Sequence, residues 1–249
     1  MEEKKYPRIL TAGDGCVVVE YGDTIDMGIN SRVAALGAAV RGLSMKGIRD
    51  TVPTYRSLAV FFDPEVVEPD ELYARLEKMA EGGETGASGA GRRIMVAPTL
   101  YGGEHGPDLA NVAAHTKLSE EEVIKRHAAH DCYCYMLGFT PGFPYLGGMD
   151  ETIATPRLKT PRELIPGGSV GVAGKQTGIY SIDSPGGWQL IGRTPMHIFD
   201  AQRDPPIFLE AGMWVRFRPI DRDEYDEIAA ASKAGIYRPE IIEEGGEAR

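Results

Sequence analysis

Two short runs, Ser169-Val170-Gly171-Val172-Ala173 and Trp188-Gln189-Leu190-Ile191, decide how this chain folds. Each is a short apolar strand bounded by turn formers. They sit in a stretch, residues 138–193, that holds 12 glycines and 6 prolines among 56 positions. Many short strands cut by Gly and Pro turns predict a β-barrel or sandwich. The stretch is too rich in Trp, Ile, Val and Leu to stay disordered.

Upstream, the pattern changes. The clearest boundary is Gly82-Gly83-Glu84-Thr85-Gly86-Ala87-Ser88-Gly89-Ala90-Gly91, whose composition reads as a flexible linker over residues 83–91. It separates a domain at 1–82 from a larger one at 92–249, both of ordinary size. In the first, Arg8-Ile9-Leu10 and Cys16 to Tyr21 flank Gly13-Asp14-Gly15 as a β-hairpin. Ile29, Val33, Leu36 and Val40 recur at helical spacing, and Leu58 to Phe62 reads as a strand. Pro69 opens a helix with Leu72, Leu76 and Met79 on one face. Helices on one face of a small sheet predict a two-layer α/β sandwich, so the whole chain reads as α+β.

The second part opens with a strand from Arg93 to Ala97, and Pro107 to Ala114 reads as a short helix. Ser119-Glu120-Glu121-Glu122 is a capping box, with Ser119 as cap and Glu122 reaching back, for a helix running to about His130. A late helix is expected over Asp221 to Lys233. The acidic tail Glu243 to Glu247 reads as frayed.

The 249 residues carry 27 Lys and Arg against 37 Asp and Glu, a formal charge of −10. That excess of acid argues against nucleic acid and against an anionic membrane surface as partners. No apolar run approaches the roughly 20 residues needed to cross a bilayer. Met1-Glu-Glu-Lys-Lys does not open a signal peptide, and three cysteines do not make a disulfide framework, so a cytoplasmic protein is expected. The charge is uneven. Residues 155–218 carry 8 basic and 5 acidic side chains, a mildly basic and Gly-rich island suited to a small anion.

His127, His130, Cys132 and Cys134 lie within eight residues, but their spacing is not that of a zinc site and no second half-site follows. Gly174-Lys175-Gln176-Thr177 resembles the end of a phosphate-binding P-loop. Ser169 and Gln176 stand where that motif needs Gly and Ser or Thr, so the match fails. Ser184 lacks the Gly-x-Ser-x-Gly elbow, and a tight turn ending in a packed Trp188 is the simpler reading. Arg157, Arg162 and Arg193 stand in the basic island, and arginine suits forked binding of a carboxylate or phosphate.

Gly138-Phe139-Thr140-Pro141-Gly142-Phe143-Pro144-Tyr145-Leu146 resembles a signature block of the PxpB family, the B-subunits of 5-oxoprolinase, also known as allophanate hydrolase subunit 1 or the KipI-like kinase inhibitors. Further blocks follow in that family's order: Thr155-Pro156-Arg157, Thr160-Pro161-Arg162, Ile165 to Gly174, Gln176 to Tyr180, Ser184 to Trp188, and Leu190 to Pro195. Upstream, Val52 to Leu58, Tyr101 to Glu104 and Gly106 to Leu109 also match. Against the family, His105 replaces an expected aromatic residue, Gly167 replaces a frequent Ala, and Asp131-Cys132-Tyr133-Cys134 is unusual.

The resemblance implies a small α/β domain followed by a cyclophilin-like β-barrel. It implies one component of an ATP-dependent 5-oxoprolinase, which opens 5-oxo-L-proline to L-glutamate. The component acts with a PxpC-like partner, similar to it in fold, and a separate PxpA-like partner, and is expected to be inactive alone. ATP, with magnesium as its counter-ion, is the implied cofactor. The family's other roles are inhibition of a sensor histidine kinase and the carboxyltransferase part of urea carboxylase. On this reading Arg162, Arg193 and Ser169 are the catalytic candidates, with Arg162 and Arg193 holding an anionic group. Arg157, Gln176, Thr177 and Tyr180 line the same pocket, and Phe143 and Trp188 form its apolar wall.

Overall fold

The computed structural model describes residues 5–82 and 91–245. The chain divides into two compact units, Met1–Ala90 and Gly91–Arg249. The glycine-rich segment at 83–90, expected to be a linker, lies outside the described residues.

The first unit runs β1 (Arg8–Thr11), β2 (Cys16–Glu20), α1 (Met27–Gly42), β3 (Ile48–Pro53), β4 (Ser57–Phe62) and α2 (Pro69–Glu81). Its antiparallel sheet has the order β1-β2-β4-β3. Alternation sends Val17, Val19, Leu58, Val60 and Phe62 to one face. There they pack with Val33, Leu36 and Val40 of α1 and with Leu72, Leu76 and Ala80 of α2. The Asp26 carboxylate caps α1 by accepting from the Ile29 amide at 2.9 Å. The two-layer sandwich and its hairpin are as the periodicity predicts. The sequence reading has no strand at β3, because this edge strand buries only Thr51 and shows little alternation of its own.

The second unit continues with β5 (Arg92–Tyr101), α3 (Leu109–Thr116), α4 (Glu120–Ala128), β6 (Cys132–Leu137) and β7 (Pro144–Gly147). After a 3-10 turn at Glu151–Ile153 come β8 (Arg162–Ile165), β9 (Ser169–Ala173), β10 (Gln176–Ile179), β11 (Ser184–Gly186) and β12 (Gln189–Arg193). The last elements are β13 (Trp214–Pro219), α5 (Arg222–Lys233) and β14 (Ile241–Glu244). Strands β12-β9-β10-β7-β6-β13-β5 form a continuous sheet, and β5 pairs back to β12 through Leu100 and Tyr101. The sheet thus closes into a barrel, which removes exposed edges. β8 and β11 make a separate two-stranded ribbon.

The barrel interior is filled by Met95, Ala97, Leu146, Val170, Val172, Ile179, Ile191, Val215 and Phe217, with α3 and α4 adding Leu109, Val112 and Val123. Two local expectations are corrected. Ser119 caps α4 by accepting from the Glu122 amide, but the Glu122 carboxylate turns to Arg126 Nε at 2.8 Å instead of reaching back. An arginine one turn along offers a charged donor, a stronger partner than a main-chain amide. Glu243 and Glu244 of the acidic tail are held in β14, which pairs with the first half of β5, while Gly246 and Glu247 lie outside the described residues. Glu244 meets Arg92 and Arg216, so its charge is matched across strands distant in sequence. Among the described residues no helix is long and apolar enough to cross a membrane.

Candidate functional site

The residues selected from the sequence fall into three groups. The first surrounds Trp188. Phe143, just before β7, packs edge-on against Tyr145, Tyr180 and Trp188 with ring centroids 5.4 to 5.6 Å apart. Such edge-to-face packing fixes ring orientation. Gly171 and Gly178 keep the space open: a Cβ on Gly178 would stand 3.1 Å from Trp188, 3.2 Å from the Pro144 carbonyl and 3.3 Å from Phe143. The Arg157 guanidinium lies over the Trp188 ring, 5.9 Å from its centroid. Burial pushes the Tyr180 hydroxyl up, while the Trp188 main chain, Arg157 and Arg162 draw it back. Arg157 and Arg162 are thus both near enough for their charges to favour the ionised Tyr180. Ser184, expected in a tight turn, lies on the short strand β11, while Trp188 is packed as expected.

Arg162 is held from behind. Its Nη2 donates to Asp108 Oδ1 at 2.8 Å, and Asp108 Oδ2 accepts from the Leu190 amide at 2.7 Å. The Asp108 amide in turn donates to the Leu190 carbonyl at 2.9 Å. Asp108 stands just before α3, yet its carboxylate makes no helix cap and is spent on this bridge. Arg162 Nη1 is buried and unpartnered, as is Gln189 Oε1.

The second group is centred on Arg193. It stands directly opposite Ser169 in the β12–β9 ladder. It approaches Tyr225 of α5 and His105 of the loop after β5. The structure thus places Arg162 with the aromatic wall and gives Arg193 a different set of neighbours.

The third group lies inside the barrel. Thr177 Oγ1 donates to the Gly171 carbonyl at 3.1 Å, so it accepts from His127 Nε2 at 2.7 Å. His127 Nδ1 then accepts from the Tyr101 hydroxyl at 2.8 Å. Burial holds His127 neutral, with its pKa lowered to about 3. Thr177 belongs to this closed chain of hydrogen bonds and is fully buried. Gln176, its neighbour on β10, points to the opposite face by strand alternation. The expectation that both line one pocket is therefore corrected.

Cys132 and Cys134 project into the core, where burial raises both thiols to about 12. Among the described residues no three His, Cys, Asp or Glu side chains gather as a cation-binding group. An open cleft of about 680 Å³ lies elsewhere, lined by Arg92, Ala128, Ala129, His130, Asp131, Trp214 and Arg216. Its arginines are already paired: Arg216 forks onto Asp131 at 2.7 and 2.9 Å, and Arg92 reaches Asp131 at 2.9 Å.

Sequence reasoning passes over Asp108, Tyr101 and Tyr225 as site residues, and weighs His127 only as a metal ligand. Asp108 lies in a matched block, Gly106 to Leu109, but its partner Arg162 is 54 positions away. Tyr101 and Thr177 are likewise linked only through His127, which the closed barrel brings to both.

Residues 7–209 match the carboxyltransferase domain family, subdomains C and D. The chain is 42% identical over 227 residues to the 5-oxoprolinase B-subunit of Bacillus subtilis, covering 86% of this chain and 92% of that one. It is 42% identical to a conserved uncharacterised protein of Pyrococcus horikoshii, covering 88% of this chain and 100% of that one with a TM-score of 0.52. The urea amidolyase of Kluyveromyces lactis shares the fold, with a TM-score of 0.75 at 22% identity over 98% of this chain and 17% of that one.

Proposed function

Because the chain belongs to the family of 5-oxoprolinase B-subunits, we propose that it is one component of an ATP-dependent 5-oxoprolinase that opens 5-oxo-L-proline to L-glutamate. The carrying observation is the 42% identity along 92% of the Bacillus subtilis protein. Its partners on this reading are a PxpC-like and a separate PxpA-like protein, and the chain alone is inactive. ATP would supply the driving force: its γ-phosphoryl group would pass to the lactam oxygen with release of ADP, water would add at the activated carbon, the C–N bond would break with the nitrogen taking a proton, and a second water would release phosphate to leave the carboxylate.

What this chain contributes is positioning and charge. Arg157 and Arg162 hold an anionic group beside Tyr180, against the Trp188 and Phe143 rings. Asp108 holds Arg162 in place and leaves Nη1 unspent for the ligand. Arginine forks and aromatic faces suit phosphate oxygens and a flat ring. Asp108 is already engaged by Arg162 and the Leu190 amide, and on this reading magnesium enters with the nucleotide. The test is a complex reconstituted with the PxpC-like and PxpA-like partners, assayed for ATP hydrolysis dependent on 5-oxoproline. Arg162→Ala is expected to lower turnover by about 100-fold or more. Near-normal turnover would remove Arg162 from the site, and a wild-type complex that ignores 5-oxoproline would remove the reading itself.

A second reading rests on the family match to a carboxyltransferase domain. In it the same cluster receives a carboxyl group carried on biotin. Transfer from carboxybiotin to urea, with no response to 5-oxoproline, is the outcome that favours it.

A further inference from the structure

Three elements meet at Arg193: the β12–β9 ladder, the loop 102–108, and the first turns of α5. Arg193 and Ser169 are direct partners in the ladder, so their side chains leave the sheet on the same face. The Arg193 stem runs past Gly168, where a Cβ would stand 3.4 Å from Arg193 Cγ. Tyr225 lies beside the guanidinium: burial raises the pKa of its hydroxyl, the guanidinium charge lowers it, and its ring stacks on His105, with centroids 4.5 Å apart and planes 27° apart.

These groups are left with unspent hydrogen-bonding capacity. Arg193 Nε, Ser169 Oγ and both ring nitrogens of His105 are buried and without hydrogen-bond partners. The His105 side chain is only 10% exposed. Buried polar atoms are almost always paired, so several orphans in one place call for a missing partner. Among the described residues no carboxylate forms an ion pair with Arg193. The nearby Glu104 is bound to Arg222 at 2.6 Å and stands 3.7 Å from His105 Nε2, too far for a hydrogen bond. The missing partner therefore has to accept hydrogen bonds and carry negative charge.

We propose that Arg193, His105 and Ser169 form a subsite for a small oxyanion, a carboxylate or a phosphate group, roofed by Tyr225 of α5. A guanidinium N–H, a hydroxyl and an imidazole N–H supply the donors such a group needs. The roof can lift. Of the twelve residues of α5 only Ser232 is buried, and its start is held by the His105–Tyr225 stack and the Arg222–Glu104 pair. The subsite stands on its own geometry and does not depend on the 5-oxoprolinase reading. If that reading holds, the oxyanion is the carboxylate of 5-oxoproline or a phosphate of the nucleotide.

The test uses the intact chain, labelled with nitrogen-15, and nuclear magnetic resonance of the His105 ring and the Arg193 Nε–H. Variants His105→Asn and Arg193→Lys assign the two signals. Inorganic phosphate and 5-oxo-L-proline are titrated separately. The expected result is that at least one of them shifts both signals saturably, and which one does so names the source. Arg193→Lys should weaken that binding about tenfold or more, while Arg75→Lys, on the exposed face of α2 in the other unit, leaves it unchanged. If Arg193→Lys fails to fold by circular dichroism, Ser169→Ala carries the same comparison. The proposal is overturned if neither anion moves the His105 signal, or if binding is undiminished in the variants. A complex that fails to turn over 5-oxoproline leaves these shifts untouched, so the two readings fail separately.

Discussion

Asp108 does more for this fold than its place beside a helix start requires. One carboxylate oxygen holds Arg162 and the other holds the Leu190 amide, so it ties loop 102–108, β8 and β12 together. Asp108→Asn keeps the size but removes the charge that both donors meet. Loss of charge-assisted bonds at a buried position is expected to cost about 2 kcal/mol. Urea unfolding should show a lower midpoint with an unchanged slope, and a midpoint within error of wild type would refute the role. His127 supports a prediction of a different kind. Its pKa is lowered to about 3 in the folded barrel, against 6.5 when free. Between those values the unfolded chain binds a proton that the native chain refuses, so stability present at neutral pH is lost as pH falls below about 6.5. From pH 7 to pH 5 the loss is about 2 kcal/mol. His127→Gln should flatten this part of the stability curve, measured by urea unfolding at both pH values. Equal slopes in wild type and variant would show that the proton goes elsewhere.

At the scale of elements, the loop between β5 and α3 carries both His105 and Asp108, and its shape depends on Gly106. A Cβ there would collide with the Ile191 carbonyl and the Gly102 amide nitrogen, backbone atoms fixed by the Gly102–Ile191 hydrogen bond. Gly106→Ala is expected to cost about 3 kcal/mol, at the upper end of overpacking penalties, because no flexible side chain can move aside. Thermal unfolding measures the loss, and the His105 signal should shift with it; a variant as stable as wild type would mean the loop can relax. The same loop shows what is legible in sequence. Helical spacing at Ile29, Val33, Leu36 and Val40 and the apolar runs of β4 and β9 are local signals, and the structure keeps them. The ladder closure from β5 to β12 and the bonds from Asp108 to Arg162 and from His127 to Thr177 join positions about fifty or more apart, which local periodicity does not encode. Glu243 and Glu244 of β14 read as part of a frayed tail for the same reason: the partners of Glu244 are Arg92 and Arg216, distant along the chain. Among the site candidates, residue type is the legible part. Arg157, Arg162 and Trp188 do gather, whereas the grouping of Arg193 with His105 and Tyr225 depends on where α5 returns to the barrel.

At the scale of the molecule, the two units have separate interiors. Every residue of the sandwich core lies between Val17 and Ala80, and every residue of the barrel core lies between Met95 and Phe217. Among the described residues each unit therefore has an interior of its own, and closure of β5 onto β12 leaves the barrel's seven-stranded wall continuous. A unit with its own core and a closed sheet is expected to fold alone. Both tryptophans, Trp188 and Trp214, lie in the barrel, so their fluorescence reports on that unit specifically. The fragment Gly91–Arg249 is expected to unfold in urea as one cooperative transition by fluorescence and by far-ultraviolet circular dichroism, with coincident curves. It should keep near-ultraviolet signals from the Phe143, Tyr180 and Trp188 cluster. Because His105, Ser169, Arg193 and Tyr225 all belong to this unit, the fragment should also keep the oxyanion-induced shift of His105. A fragment with native far-ultraviolet signal but no fixed aromatic signal would be a molten state, and would show that the barrel needs more of the chain than its own interior.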